Sequence, residues 1–317
     1  RYRILSLQED VDFKNLGLVV TDEQHRFGVE QRNRLINKGR RPDVLVMTAT
    51  PIPRTLALYV YSDLDISVID KLPPGRKPVK TEFYNGGDRM MAYDLALDEI
   101  RKGRQVYIVC PLIEEDEKLS LNSVEKLYDE LKDGVFRGIN IEILHGKMKP
   151  KEKDEIINRF KRDETKVIIS TTVIEVGVNV PNASVMIIEN AERFGLAQLH
   201  QLRGRVGRGQ YESYCILTGN AKTDTTKRRM EIMTESTDGF YISEQDLKLR
   251  GSGELFGLKQ SGDEGFVLAN LYDDIKILRC AREEGKMLLE SKDPNKVKLC
   301  RDIAYSLERW SKYICFN

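Results

Sequence analysis

Four consecutive polar side chains follow an apolar run near the start of the sequence. Residues 16–20 read "LGLVV", and one threonine later come Asp22, Glu23, Gln24 and His25. Ligand sites in open parallel sheets lie beyond the carboxyl ends of the strands, and Mg²⁺ prefers one or two carboxylates together with phosphate oxygens. We therefore predict that Asp22 holds Mg²⁺ through water. Glu23 would orient or deprotonate the water that attacks a terminal phosphate.

Two threonines close the next apolar run. The segment "MTATPIPRT" (47–55) places Thr48 and Thr50 just before Pro51, a residue that suits the first turn of a helix. A threonine in this position often does no more than cap the helix. Beside a carboxylate cluster, however, the two hydroxyl groups could relay the state of the phosphate site to neighbouring groups.

A loop in the second half of the chain carries groups suited to a nucleotide and its surroundings. The segment "STTVIEVGVNVP" covers residues 170–181. In it, Thr171 and Thr172 end a strand, and Gly177 permits a close approach of the backbone. Asn179 offers a side-chain amide to a ribose hydroxyl group.

A second motif, "QLHQLRGRVGRGQ" (198–210), interleaves Arg203, Arg205 and Arg208 with glycines. Arginine makes bidentate contacts with phosphate and stabilises the charge that develops during phosphoryl transfer. An isolated R-G-R could be a solvated basic turn. Here it follows an apolar helix, with a threonine-rich loop upstream, and this combination favours a phosphate site.

The order of apolar and polar segments predicts an α/β protein. Strand-like runs, among them "ISVID" (66–70), alternate with helical patterns, which indicates parallel sheets covered on both faces. The Pro- and Gly-containing segment "KLPPGRKPVK" is typical of a linker. We predict an incomplete α/β unit in residues 1–74, a complete one in residues 75–220 and a helical tail in residues 221–317.

Composition limits the class of protein. The chain has 317 residues, 40% of them hydrophobic and 32% charged, as in ordinary soluble proteins. No apolar stretch is long enough to cross a bilayer, so no membrane partner is expected. The five cysteines are scattered and never spaced as C-x-x-C, which favours reduced thiols in a cytoplasmic protein over disulfides or a zinc site.

Taken in order, the motifs resemble those of superfamily 2 helicases: "DEQH", "TAT", "HGKM", "TTVIEVGVNVP" and "QLRGRVGR". The segment "STDGFYISEQDLKLRGSGELFGLKQSG" (236–262) resembles a motif shared by RecG-type branch-migrating helicases and the transcription-repair coupling translocase. It is much closer to the RecG version. The resemblance implies two RecA-like domains that hydrolyse ATP with Mg²⁺ in the cleft between them. The first domain is partial here, the second is complete, and an α-helical C-terminal region follows.

The resemblance also implies roles for individual residues. Asp22 and Glu23 take the magnesium and water-activating roles, and Gln24 and His25 face the second domain. Arg205 and Arg208 are arginine fingers supported by Gln201. The remaining residues divide into a nucleotide group and a group that couples the motor to DNA: Gly177 and Asn179 in the first; Thr48, Thr50, Thr171, Thr172, Arg250 and Gln260 in the second.

The implied activity is that of a monomeric motor on branched or forked double-stranded DNA. It would remodel replication forks and Holliday junctions in recombination and repair. One motif of such motors, the phosphate loop G-x-x-x-x-G-K-[ST], is absent from the sequence, since "GKMKP" and "GKMLL" lack its hydroxyl group and its first glycine. We therefore expect that an N-terminal part is missing and that the chain alone hydrolyses ATP negligibly.

Two other readings stay open at this point. A transcription-repair coupling motor shares the tail motif, but it would carry further domains on both sides. A non-catalytic RecA-like module that binds DNA or protein would explain the missing phosphate loop, although the carboxylate and arginine motifs argue against it. A metal-dependent nuclease built on Asp22 and Glu23 fits poorly, because no further carboxylates cluster at strand ends in the same unit.

Overall fold

A computed structural model describes residues 11–22, 38–39, 42–49, 65–69, 71, 76–111, 117–171, 180–250 and 275–311. Within these ranges the strands are β1 (Leu18–Asp22), β2 (Asp43–Met47), β3 (Val79–Asn85), β4 (Gln105–Cys110), β5 (Ile141–Leu144), β6 (Val167–Thr171), β7 (Ala183–Ile188) and β8 (Ser213–Gly219). The helices are α1 (Arg89–Arg101), α2 (Glu117–Asp133), α3 (Pro150–Lys161), α4 (Leu196–Arg203), α5 (Asp224–Glu235), α6 (Gly239–Arg250), α7 (Ile275–Glu290) and α8 (Pro294–Ser311). The alternation of strands and helices followed by helices alone confirms the predicted fold class.

The chain forms two compact units. One comprises residues 1–60 with residues 250–317, and the other comprises residues 61–249. In the first unit, β1 and β2 pair in parallel, with Leu18 opposite Asp43 and Asp22 opposite Met47. The same unit contains α7 and α8, which follow each other closely in the chain.

The second unit is built on a six-stranded parallel sheet in the order β3-β8-β7-β4-β6-β5. Every residue of the strands β4 and β7 is buried, as expected for central strands covered on both faces. Their sequences, "QVYIVC" and "ASVMII", are the continuous apolar runs that such strands require.

Alternate residues of each central strand enter separate hydrophobic cores on the two faces of this sheet. On one face Ile108 and Ile187 join the residues of α1 and α2, among them Ala96 and Leu127. On the other face the core is completed by helices α3 to α6, whose buried residues include Phe160, Leu199, Met230 and Ile242. The helices α5 and α6 thus pack on the sheet.

One expected strand does not form. Residues 66–69, the described part of the apolar run 66–70, have no regular structure, and neither does residue 65. Their side chains are largely exposed, and Ile69 reaches 90% exposure. A β-strand is stabilised by pairing with a neighbour, and no such neighbour is present for this segment in the part of the chain that the structure describes.

Candidate functional site

The motif with three arginines forms a tight turn after α4, and residues 204–208 are called the arginine turn below. Gly207 has a φ of 73°, in the left-handed region that favours glycine. A Cβ atom at Gly207 would lie 2.7 Å from Cγ2 of Val79, and one at Gly209 would meet the backbone oxygen of Pro181. The turn therefore fits closely between the start of β3 and the segment that precedes β7.

Arg205 and Arg208 are both solvent-accessible in this turn, Arg205 in part and Arg208 largely. Arg208 is exposed, and its Nε donates a hydrogen bond to the backbone oxygen of Gly204 at 3.2 Å. Burial raises the pKa of Tyr107 on β4, and the positive charges of Arg208 and Arg205 both oppose that rise. The charges of both guanidinium groups therefore act on the same tyrosine of β4. The structure thus brings together two of the predicted residues, with Gln201 exposed on α4 one helical turn before Arg205.

Arg203, the first of the three arginines in this motif, is buried at the end of α4. Only 3% of it is exposed. Its Nη1 donates to the backbone oxygens of Met233 at 2.9 Å and Ser236 at 2.8 Å, and approaches Oγ1 of Thr81 at 3.3 Å. Its guanidinium group therefore links α4 to β3, to the last turn of α5 and to the residue that follows α5. The spacing of Leu196, Leu199 and Arg203 at i, i+3 and i+7 already indicates one buried helix face.

A histidine completes this buried network. Nδ1 of His200 lies 3.0 Å from Nη2 of Arg203. Burial first, and then the positive charge of Arg203, lower the pKa of His200 from 6.5 to about 4. The charges of Asp238 and Arg76 also act on the ring, in opposite directions. Nδ1 can accept a hydrogen bond from the guanidinium group only while it carries no proton, so the network requires a neutral imidazole.

We expect this histidine to make the second unit sensitive to mild acid. Because the pKa of His200 is lower in the folded chain, the unfolded chain binds more protons, and stability falls as the pH drops below about 6.5. A shift to about 4 corresponds to a loss of about 2 kcal/mol between pH 7.5 and pH 5. Urea unfolding followed by circular dichroism at several pH values in this window measures the loss. The His200→Gln variant should show a flatter profile, and an equal slope in both proteins would contradict the assignment.

Buried polar groups without hydrogen-bond partners lie at the carboxyl edge of β5 and β6. Among the residues that the structure describes, Oγ1 of Thr171, Oγ of Ser170 and Nδ1 of His145 have no partner. The pairing of Leu144 with Ser170 brings His145 beside Thr171. Buried groups of this kind are normally satisfied by water or a ligand. Thr171 thus occupies a strand end suited to ligand binding, whereas Thr172, Gly177 and Asn179 lie outside the described residues.

An acidic network that the sequence analysis missed follows β7. The side chain of Glu189 is 6% exposed and accepts hydrogen bonds from Oη of Tyr93 at 2.6 Å and from Nε of Arg89 at 2.9 Å. Arg89 also lies 3.6 Å from a carboxylate oxygen of Glu130. Burial, and then the nearby charge of Glu189, raise the pKa of the Cys110 thiol to about 12. The network joins the start of α1 to the end of β7, and its only sequence signal is an acid that directly follows an apolar strand.

The first unit places two predicted residues at one strand edge. Asp22 ends β1 opposite Met47, and Thr48 follows Met47 directly, so both lie at the carboxyl edge of this strand pair. Beside them, Oγ1 of Thr21 is buried without a partner in the described ranges. Asp22 supplies one carboxylate, which is enough for Mg²⁺ when phosphate and water provide the other oxygens.

Most of the remaining predicted residues lie in parts of the chain that the structure does not describe. Glu23, Gln24, His25, Thr50 and Gln260 lie outside the described residues, and Arg250 is the last residue of α6. Within the described part of the chain, no group of three or more His, Cys, Asp or Glu side chains could hold a metal ion. No helix described there is long and apolar enough to cross a membrane.

Comparison with known proteins identifies the family. Residues 89–210 match the helicase conserved C-terminal domain, and residues 236–307 match the C-terminal part of domain 3 of the ATP-dependent DNA helicase RecG. The chain is 53% identical over 289 residues to the ATP-dependent DNA helicase RecG of Synechocystis, covering 91% of this chain and 35% of that protein. It is 52% identical over 288 residues to RecG of Bacillus subtilis, covering 90% of this chain and 42% of that protein. The chain belongs to the RecG family.

A solved structure agrees with this assignment. The structure of RecG bound to a three-way DNA junction matches with a TM-score of 0.66 and 47% sequence identity, over 86% of this chain and 34% of that one. The RecG-type resemblance that the motifs indicated is thereby confirmed. The chain spans about two-fifths of the length of the curated RecG relatives named above.

Proposed function

We propose that this chain contributes the second motor domain, and part of the first, to an ATP-driven translocase on double-stranded DNA. The observation that carries the proposal is the arginine turn, which packs closely against a RecA-like sheet and brings the charges of Arg205 and Arg208 to bear on Tyr107 of that sheet. Guanidinium groups fixed by a rigid turn can stabilise the charge that develops on a phosphoryl group in transfer. Gln201 would support them from α4. We keep residues 1–74, 75–220 and 221–317 as the proposed domains, with the first two helices of the third, α5 and α6, packed on the sheet of the second.

The first unit carries the side chains proposed for the metal ion and the attacking water. Asp22 would hold Mg²⁺ through water, Glu23 would orient the attacking water, and Gln24 and His25 would face the second domain. Mg²⁺ supplies positive charge against the phosphates when it is bound. Gly177 and Asn179 would approach the nucleotide. The position of Asp22 at a strand end supports this division of roles.

The proposed partner is branched or forked double-stranded DNA, as in the relative whose structure contains a three-way junction. Thr171, beside buried polar groups that have no described partner, would contact the DNA backbone together with Thr172. The other coupling residues would be Thr48, Thr50, Arg250 and Gln260. Contacts of this kind go mainly to phosphates, so binding should weaken steeply with salt and depend little on sequence. We further propose a cytoplasmic protein that acts as a monomer on replication forks and Holliday junctions.

The catalytic assignment is tested by ATP turnover in the presence of junction DNA. The chain of residues 1–317 should give no turnover above background, because its sequence lacks the phosphate loop that holds the triphosphate. In a form of the protein that also supplies a phosphate loop, Arg208→Ala should lower kcat by roughly a thousandfold, the effect of losing an arginine finger. Arg228→Ala, which removes an exposed ion pair with Glu231 and Glu235, is the matched control and should leave kcat unchanged.

The same assay separates the second candidate, a non-catalytic module that binds DNA. The missing phosphate loop favours that candidate. It predicts junction binding without turnover in every form of the protein, and no effect of Arg208→Ala on the background rate. A transcription-repair coupling motor is less well supported, because the match over residues 236–307 is to RecG.

A further inference from the structure

A basic residue from the segment that leads into β3 contacts the arginine turn. Nε of Arg76 donates a hydrogen bond to the backbone oxygen of Gly207 at 3.2 Å, and its Nη2 lies 3.5 Å from the backbone oxygen of Gly204. The oxygen of Gly204 also accepts the hydrogen bond from Nε of Arg208. One carbonyl group of the turn is therefore approached by two guanidinium groups, one from within the motif and one from a segment 128 residues earlier.

The packing of the backbone supports the same contact. A Cβ atom placed on Gly207 would lie 2.7 Å from Cγ2 of Val79 and 3.7 Å from the backbone oxygen of Lys77. Residues 76–79 thus run alongside the turn, and the absence of a side chain at Gly207 allows this close approach. From the sequence, residues 71–80 are predicted only to form a linker.

The contact of Arg76 with the carbonyl groups of the turn acts against the electrostatic repulsion between Arg76 and Arg208. Carbonyl groups after the last turn of a helix lack partners within the helix and carry partial negative charge, so a guanidinium group is favourable there. Burial, and then the positive charge of Arg208, lower the pKa of Arg76. Arg76 is thus held beside another cation by its contacts with Gly204 and Gly207. An anion that approached Arg208 would reduce the repulsion between the two side chains.

We propose that Arg76 is a positioning residue for the arginine turn: its hydrogen bonds to the carbonyl groups of Gly204 and Gly207 fix the direction in which Arg205 and Arg208 point. The identity of the anion that they meet, a triphosphate, rests on the proposed function. The positioning itself does not. Because Arg76 lies three residues before the start of β3, its side chain connects the entry of the chain into the second motor domain to the turn.

Hydrogen exchange of the 317-residue chain tests the positioning without any nucleotide. The variants Arg76→Lys and Arg76→Gln both remove the donors at Nε and Nη2, and Arg76→Lys retains the charge. Exchange of the backbone amides in residues 203–209 should become about tenfold faster in both variants, relative to the amides of β4 in the same sample. The matched controls are Arg229→Lys and Arg229→Gln, since Arg229 donates to the backbone oxygens of Phe194 and Glu192 but not to the turn.

Each outcome of this exchange experiment either supports or contradicts the positioning role of Arg76. Faster exchange in both Arg76 variants, with unchanged exchange at the turn in both Arg229 variants, supports the proposal. Normal exchange in Arg76→Lys would overturn it, because charge alone would then be sufficient. Equal acceleration in the Arg76 and Arg229 variants would overturn it as well, since the effect would be a general loss of stability. Using β4 as an internal reference keeps the result interpretable if a variant is less stable.

A second measurement connects the positioning to phosphate. Titration calorimetry with tripolyphosphate should show about fivefold weaker binding for both Arg76 variants, and less than twofold weakening for both Arg229 variants. Wild-type affinity in Arg76→Lys would count against positioning. The Arg205→Ala variant tests the proposed phosphate-binding function of the turn separately from the positioning role of Arg76. If this variant binds tripolyphosphate as the wild-type chain does, the proposed function of the turn fails. The hydrogen-exchange result would still decide the role of Arg76.

Discussion

Replacing Arg203 by alanine is expected to destabilise the second unit by about 3 kcal/mol. The backbone oxygens of Met233 and Ser236, which the buried guanidinium group now satisfies, would lose a charge-assisted donor. Each buried acceptor left without a partner costs about 1–3 kcal/mol, and the space left by the side chain adds to the loss. Urea unfolding at pH 7.5, followed by circular dichroism, measures the change in free energy.

Arg208→Ala is the matched control for this prediction, because it removes an arginine five residues later in the same motif. Arg208 is exposed, and its hydrogen bond to Gly204 lies at the surface. Its loss should change the free energy of unfolding by no more than about 0.5 kcal/mol. If both variants proved equally stable, the division of the motif into a buried arginine and two arginines in the turn would be wrong. Arg203→Ala should also raise the pKa of His200, since it removes a positive charge beside the ring.

The strands of the central sheet could be predicted from sequence because each is a continuous apolar run between polar turns. The strands β4 and β7 meet that condition, and their complete burial agrees with it. The run 66–70 looks similar but forms no strand in its described part, because an apolar run specifies burial and not a pairing partner. Local pattern is therefore a good guide to a strand only where a sheet is available to receive it.

The networks that fix the site could not be predicted, because their members are distant in sequence. The contact between Arg89 and Glu189 joins positions 100 residues apart, and that between Arg76 and Gly207 joins positions 131 residues apart. Helical spacing identifies Arg203 as a residue of a buried face, but no local pattern shows that its partners are backbone oxygens near Ser236. Composition and spacing locate the residues whose side chains could take part in binding or catalysis. The tertiary structure decides which of them remain available to a ligand.

The largest expected effect outside the arginine motif concerns the acidic network after β7. Arg89→Ala should destabilise the second unit by about 3 kcal/mol, because the carboxylate of Glu189 is 6% exposed and would keep, among the described side chains, Tyr93 alone as a partner. Chemical denaturation by urea at neutral pH, compared with the wild-type chain, gives the difference. Breaking a buried pair from one side leaves an uncompensated charge, which is why the expected cost exceeds that of losing a surface contact.

A double-mutant cycle and a control on the same helix make this prediction specific. Glu189→Gln removes the charge but keeps an oxygen that can accept the hydrogen bond from Tyr93, so combining it with Arg89→Ala should recover about 1–2 kcal/mol of the loss. Arg101→Ala breaks an ion pair with Asp98 in which both side chains are more than 60% exposed, and it should cost less than about 0.5 kcal/mol. Additive losses in the Arg89 and Glu189 variants would contradict a direct interaction. A coupling of the expected size would show that α1 is anchored by charge at the edge of the sheet where β7 ends, the strand whose following segment leads through α4 to Arg205 and Arg208.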